Sequence, residues 1–285
     1  MHTHLLTSKK KVTFYKGDSP PAIKEDQLTK EEPLAISLFY YDSLKNLQEH
    51  PLSITMRSPG NDEELTMGFL LTEGIIESVN QVEKIVYHDT QVNPLLKDQT
   101  IQVFLDKSFH FNPEEFSRNF YSSSSCGVCG KNSIQQLEKH IKTILPESRP
   151  VFNRKMIYDI NKIMKEKQSA FHLTGGIHGT AVFDEQLSLN CIMEDVGRHN
   201  AMDKVIGALM KRGELPAKNN LVAVSGRAGF ELVQKALIAG FGILTAVGAP
   251  SDLAVELAET YGMTLIGFLK NDQFNVYSHP QRISN

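Results

Sequence analysis

No apolar run in this 285-residue chain approaches the roughly 18 residues needed to cross a bilayer. The opening stretch, MHTHLLTSKKKVTFYKGDSPP, has no apolar core of signal-peptide length either, so it is expected to be a loose polar tail. These two absences lead to the expectation of a cytoplasmic protein with no membrane partner. Cysteine is scarce: only Cys126, Cys129 and Cys191 occur. An odd, sparse count argues against a disulfide framework, and in a reducing compartment a close pair is reactive or metal-bound rather than a staple. Charge of one sign is also scarce. The formal net charge is -3 and there is no long basic run, which disfavours a nucleic-acid partner. Internal repeats and low-complexity tracts are missing as well.

The residues that are present suit a globular chain long enough for one large domain or two modest ones. The segment EEPLAISLFYYDSLKNLQEHPLSITMRSP alternates like two strands around a polar turn. Asn61 is placed to cap a helix, with Glu64 three residues on as in a capping box, and Gly74 to end it. QVEKIVYH and TIQVFLD read as strands. After Gly130 the spacing of Ile134, Leu137, Ile141 and Ile144 predicts a helix. LPESRPVF marks a junction, which divides the chain into an N-terminal α+β domain over 1–145 and a C-terminal α/β domain over 146–285.

In the second part HGTAVFDEQLSLNCIM reads as a hairpin around Asp184–Gln186. A helix capped by Asn200, with Asp203 at its third position, follows. LVAVS, GFELVQKALIA, GILTAV, SDLAVELAETY and MTLIGFL then alternate strand and helix, which predicts a mainly parallel sheet. Its strand-end loops, Ser225–Gly229, Gly248–Ser251 and Lys270–Gln273, must share one edge, where open α/β sheets bind ligands. The loop Glu194–Asn200 joins them if its strand runs the same way.

Cys126-Gly-Val-Cys129 lies in a Gly/Ser loop running into a helix start, a setting that favours the thiolate that attacks sulfur. It could also be half of a zinc site, but a second CxxC or a spaced histidine pair is missing, so no metal is expected. EDVGRHNAMDK reads either as a well-capped helix start or as a pocket wall, with His199 as a proton carrier and Arg198 as a phosphate partner. Ser225-Gly226-Arg227-Ala-Gly leads from strand to helix and suits an anion, though it is neither a Walker loop nor a GxGxxG fingerprint. Gly248-Ala-Pro-Ser251 is an ordinary turn or a ligand rim, and Thr174-Gly-Gly-Ile-His178-Gly reads as a structural glycine turn.

Taken with SITMRSPGNDEELTMGFLLTEGII, SSCGVCGK, TGGIHGTAVFD, EDVGRHNAMDKVIG, SGRAGFELVQKALIAG, GAPSDLAVELAE and GMTLIGFLKNDQFNVYSHPQR, the chain resembles the FdhD family of formate dehydrogenase accessory proteins, also described as sulfur carriers. The resemblance runs from about Glu31 to Arg282. It implies a cytidine-deaminase-like C-terminal domain. It also implies transfer of sulfur from a cysteine desulfurase to bis-molybdopterin guanine dinucleotide before that cofactor enters formate dehydrogenase. By the family's pattern Cys126 carries the persulfide, Cys129 is its neighbour in the motif, and the cofactor-binding stretch falls on Phe268, Leu269, Lys270, Asn271, Asp272 and Gln273. The family often has glycine where Asp272 stands. GDP is then the fragment that mimics half of the cofactor, and two guanine nucleotides are most simply met by a homodimer. Deamination does not follow from the fold: zinc deaminases need H-x-E and P-C-x-x-C, and here H-x-E is missing and Ser125 precedes Cys126. Two rivals remain: a cofactor chaperone without covalent sulfur chemistry, and a CxxC thiol–disulfide reductase.

Overall fold

The computed structural model describes residues 6–87, 99–113, 141, 144–145 and 150–285. Cys126, Cys129, the serine run before them and most of the helix expected after Gly130 lie outside the described residues.

From Thr7 on, the stretch expected to be a loose tail is a hairpin: β1 (Thr7–Phe14) pairs antiparallel with β2 (Ala22–Thr29), while residues 1–5 lie outside the described residues. Its lysines and acids hid the strand pattern, yet they pair across it. Lys9 meets Glu25 at 2.7 Å and Lys24 lies 3.8 Å over the Phe14 ring. The hairpin docks through Thr29, whose hydroxyl lies 3.0 Å from Thr174 Oγ1 and 3.2 Å from the Gly176 carbonyl.

The next unit is a four-stranded sheet ordered β4-β3-β6-β5, built from β3 (Glu32–Tyr41), β4 (Leu47–Arg57), β5 (Val82–Tyr87) and β6 (Thr100–Leu105). Helix α1 (Asp62–Thr72) packs on it. Leu34, Ile36 and Leu38 of β3, Ile101 and Val103 of β6, and Leu65 and Leu70 of α1 form its core. Asn61 does stand at the N-cap, but in the left-handed region (φ 56), where its side chain makes no cap bond, and the helix ends before Gly74 at φ 72.

The larger unit opens with β7 (Phe152–Asn153), α2 (Arg154–Lys167) and α3 (Ser169–Thr174). The hairpin β8 (His178–Phe183) and β9 (Leu189–Asp195) follows as expected, and then α4 (Arg198–Lys211). The alternation β10 (Leu221–Val224), α5 (Phe230–Ile238), β11 (Ile243–Ala246), α6 (Asp252–Tyr261), β12 (Thr264–Gly267) comes next, and β13 (Asn275–Ser278) and the short β14 (Ile283–Ser284) complete the chain.

The six-stranded sheet is ordered β13-β12-β11-β10-β8-β9. It is mixed rather than mainly parallel. Only β10–β11 and β11–β12 pair parallel, because hairpins flank that unit on both sides: β8–β9 docks antiparallel on β10, and β13 folds back on β12. Side chains alternate across it. Leu221 and Ala223 face Ile157, Ile160 and Met164 of α2, while Val222 and Val224 face the core under α4, α5 and α6. Ile141 and Leu145 lie in that second core.

Helices α1 and α4 cross at backbone contact. A Cβ on Gly68 would stand 1.9 Å from the Asp203 carbonyl oxygen, and one on Gly207 1.9 Å from that of Glu64. Only glycine allows this approach, and it presses the two cores together.

Candidate functional site

Strands β9, β10, β11 and β12 point the same way, so the residues after Asp195, Val224, Ala246 and Gly267 meet at one edge. The condition set for Glu194–Asn200 is therefore met. Strand β8 runs the opposite way, which brings its first residue, His178, to the same edge opposite Asp195. Backbone hydrogen bonds lace these loops together. Gly248 N–H donates to the Gly226 carbonyl (3.0 Å), Ser251 N–H to Ala228 (3.0 Å) and Phe268 N–H to Gly248 (3.1 Å). Gly179 N–H donates to Ser225 Oγ (2.9 Å). Gly226 is crowded by His178 and Arg198: a Cβ there would lie 3.3 Å from His178 Nδ1 and 3.8 Å from Arg198 Cδ. The structure thus gathers Arg198, Ser225, Gly226 and His178, and connects Phe268 to them through Gly248.

The charged stretch EDVGRHNAMDK divides into two roles. Glu194 accepts from Ala170 and Phe171 N–H at 3.0 and 2.9 Å and so caps α3. Asp195 accepts from Ser58 and Gly197 N–H and meets Lys204 Nζ at 2.7 Å. Asp203 pairs with Lys235 at 3.0 Å and with the Thr72 hydroxyl. These groups are buried and structural. The helix begins at Arg198, not after Asn200. Gly197 is its N-cap, and the Asn200 amide turns back to Asp195 Oδ1 and the Met56 carbonyl. Asp203 is accordingly one turn further inside than the sequence suggests.

The other role is at the edge. Arg198 Nε is buried without a hydrogen-bond partner among the described residues. Burial and the neighbouring Arg198 guanidinium lower the His178 pKa, so the ring is neutral. His199 lies 3.5 Å from Glu231, but burial dominates and pulls its pKa down to about 4, so it too is neutral near pH 7. Arg227 is exposed, its Cγ against Gly248. Phe268 holds a left-handed backbone (φ 54) and is 42% exposed, a strained placement of the kind found at ligand clamps. Leu269 buries its side chain in the core, so only its backbone faces the edge, while Lys270, Asn271, Asp272 and Gln273 form an exposed turn.

Beside this edge lies a cavity of about 450 Å³, lined by Asn161, Gln168, Phe171, His178, Ser225 and Val247 among others. Sequence reasoning missed Asn161 and Gln168 and weighed His178 as structural. The signal was available. Asn153 caps a helix whose Ile157, Ile160 and Met164 recur at helical spacing, which puts Asn161 and Gln168 beside that apolar stripe.

The thiol pair expected to carry sulfur, Cys126 and Cys129, lies outside the described residues. Cys191 is a buried thiol, its pKa pushed up by burial, and so unreactive. Among the described residues no group of three or more His, Cys, Asp or Glu is disposed to hold a metal.

The model of the FdhD/NarQ family matches residues 30–284. A protein of Sulfurisphaera tokodaii called sulfur carrier protein FdhD is 38% identical over 96% of this chain and 98% of that protein. A Streptomyces avermitilis protein of the same name is 37% identical over 98% and 96%. A crystal structure described as a formate dehydrogenase accessory protein from Desulfotalea psychrophila covers 98% of this chain and 100% of that one, with a TM-score of 0.71 at 22% identity, a likeness of fold.

Proposed function

The chain belongs to the FdhD/NarQ family, and from that membership we propose that it is a sulfurtransferase of the carrier type. It takes persulfide sulfur from a cysteine desulfurase and passes it to a guanine-nucleotide-bearing molybdenum cofactor destined for formate dehydrogenase. The Cys126 thiolate attacks the outer sulfur of the desulfurase persulfide. That S–S bond breaks, the desulfurase cysteine leaves as thiolate, and Cys126–S–SH forms. The carried sulfur is formally zero-valent and a sulfido ligand is S2−, so two electrons are needed. Attack of the Cys129 thiolate on the Cys126 sulfur supplies them, releasing HS− and leaving a Cys126–Cys129 disulfide.

The observation that supports a bound cofactor is the laced strand-end edge with the unpartnered Arg198 Nε in it. A buried donor left unmade costs about 1–3 kcal/mol, and a phosphate would satisfy it. In this reading the cofactor's nucleotide phosphates lie at Ser225, Gly226, Arg227 and Arg198, with His199 behind them. The turn Phe268–Gln273 closes over the nucleotide. The reading includes a cytidine-deaminase-like arrangement of the 146–285 domain, a separate N-terminal domain over 1–145, a homodimer with one nucleotide site per chain, and a cytoplasmic setting.

The test is formate dehydrogenase activity in a cell whose own copy is deleted. Cys126→Ala is expected to leave a folded protein and no activity, and full activity would overturn the carrier reading. A pure cofactor chaperone predicts that activity survives.

A further inference from the structure

We propose that the β1–β2 hairpin is an arm that docks on a second copy of this chain, setting its outward basic and apolar face against the acidic row on α6. This deepens the homodimer reading and rests on it.

The first observation is which way the ribbon faces. Residues opposite one another in the β1–β2 register share a face. Thr7, Lys9, Gln27 and Thr29 lie on one, and the Thr29 hydroxyl holds that face to Thr174 and to the Gly176 carbonyl. The other face carries Lys10, Val12, Phe14, Lys24, Asp26 and Leu28. Burial alternates to match: Gln27 and Thr29 are half-buried, whereas Leu28 between them is 42% exposed and Phe14 is 40% exposed. A sheet with one wet side normally packs its apolar side on its own protein. This ribbon turns its apolar side out. A lone two-stranded hairpin is marginal in water, so the outward face calls for a surface to cover it.

The second observation is charge. Residues 7–30 hold six lysines and three acids, while the rest of the chain holds 24 Lys and Arg against 30 Asp and Glu. The arm is a basic ribbon on an acidic body. On its outward face Lys10 is exposed and has no ion pair among the described residues, and Lys24 is held there by the Phe14 ring, 3.8 Å away. The body offers the complement. Residues 236–269 contain no lysine or arginine. Their acids, Asp252, Glu256 and Glu259, recur at helical spacing on the exposed side of α6, with the half-buried Leu253 beside them. None of the three has an ion pair among the described residues. Asp252 and Glu256 stand about 6 Å apart along the helix, and Lys10 and Lys24, diagonal across the ribbon, about 7–8 Å apart.

The third is how two copies can meet. Two ribbons joined edge to edge through β1 would set its lysines, Lys9 to Lys11, against their own counterparts, which is repulsive. A face laid on α6 avoids this, and a twofold axis makes the contact twice, each arm on the other copy's helix. Exposed ion pairs contribute little singly, so Val12, Phe14 and Leu28 supply the apolar area and the charges set the partner.

The experiment is sedimentation equilibrium of the full chain with two charge-reversed variants. Lys10→Glu with Lys24→Glu reverses the arm, and Glu256→Lys with Glu259→Lys reverses the helix. Each variant alone is expected to self-associate about tenfold or more weakly than the parent chain, with an unchanged melting temperature, since all four positions are exposed. Mixing the two variants should restore association, because in the mixed dimer each arm meets a helix of opposite charge. A mixture that stays dissociated overturns the inference, as does a dimer that neither reversal weakens; in the latter case the homodimer reading stands and only the arm falls. A parent chain that is monomeric overturns both.

Discussion

Along the flank of α4, Asp203 and Lys204 are buried and answered, by Lys235 and by Asp195 with the Ser58 carbonyl. At the first residue of the same helix, Arg198 Nε is buried and has no partner among the described residues, and Gln168 Nε2 is in the same condition. Both regions bury polar side chains, and Arg198 is only five residues from Asp203 on the same helix. The difference between them is satisfaction. Buried ions and amides are normally paired because an unmade partner is costly. The flank therefore reads as a clamp between the two cores, and the edge, under the proposed function, as a site for the cofactor to complete.

The largest expected effect breaks the clamp. Burial favours a neutral amine at Lys235, yet Asp203, Glu73 and Glu231 together hold its pKa above the ordinary lysine value, so the pair is charged. Lys235→Met leaves Asp203 buried without its cation, and chemical denaturation should show a loss of about 3–5 kcal/mol. A loss under about 1 kcal/mol would mean that the pair is not the clamp described.

The edge should behave in the opposite way. Arg198→Ala is expected to weaken GDP binding, measured by calorimetry, by about 1–3 kcal/mol. It should change unfolding free energy by no more than about 0.5 kcal/mol. A mutation that costs stability but not affinity would place Arg198 with the clamp. Arg227→Ala, at an exposed position over Gly248, should cost less affinity, about 1 kcal/mol or below.

The smallest effect concerns pH. His199 has a folded pKa of about 4 against an ordinary 6.5, mainly from burial. Between those values the unfolded chain binds the proton and the folded one does not, so this contribution is full above pH 6.5 and fades as pH falls towards 4. About 1–2 kcal/mol should be lost across that window, less than the full shift implies because part of the ring meets solvent. His199→Asn should flatten the pH dependence of stability there; an unchanged slope would assign the window to other groups.

Much of the fold was legible because its signals are local. Ser251 caps α6 by accepting from Ala254 N–H, and Gly262 ends that helix at φ 77, as their positions in SDLAVELAETYG imply. The strand-helix alternation placed the loops at one edge without any coordinates. Three features were not legible. The β1–β2 hairpin is highly charged, and its docking depends on Thr174, far along the chain. The antiparallel flanks of the six-stranded sheet depend on which strand docks beside β10, which periodicity does not encode. The acids of EDVGRHNAMDK look alike in sequence, and only their long-range partners, Ala170, Ser58 and Lys235, assign them to structure. The cavity is harder to read from sequence because its Asn161 and Gln168 belong to helix α2 and its C-cap, where neither residue stands in a motif of its own.

Sulfur carriage itself is tested most directly by intact-protein and peptide mass spectrometry after incubation with a cysteine desulfurase and cysteine. The account predicts an adduct of about +32 Da, one sulfur, on the peptide containing Cys126, removed by a thiol reductant and missing from Cys126→Ser. A protein that stays unmodified, or one that carries the extra sulfur on the buried Cys191, would contradict it.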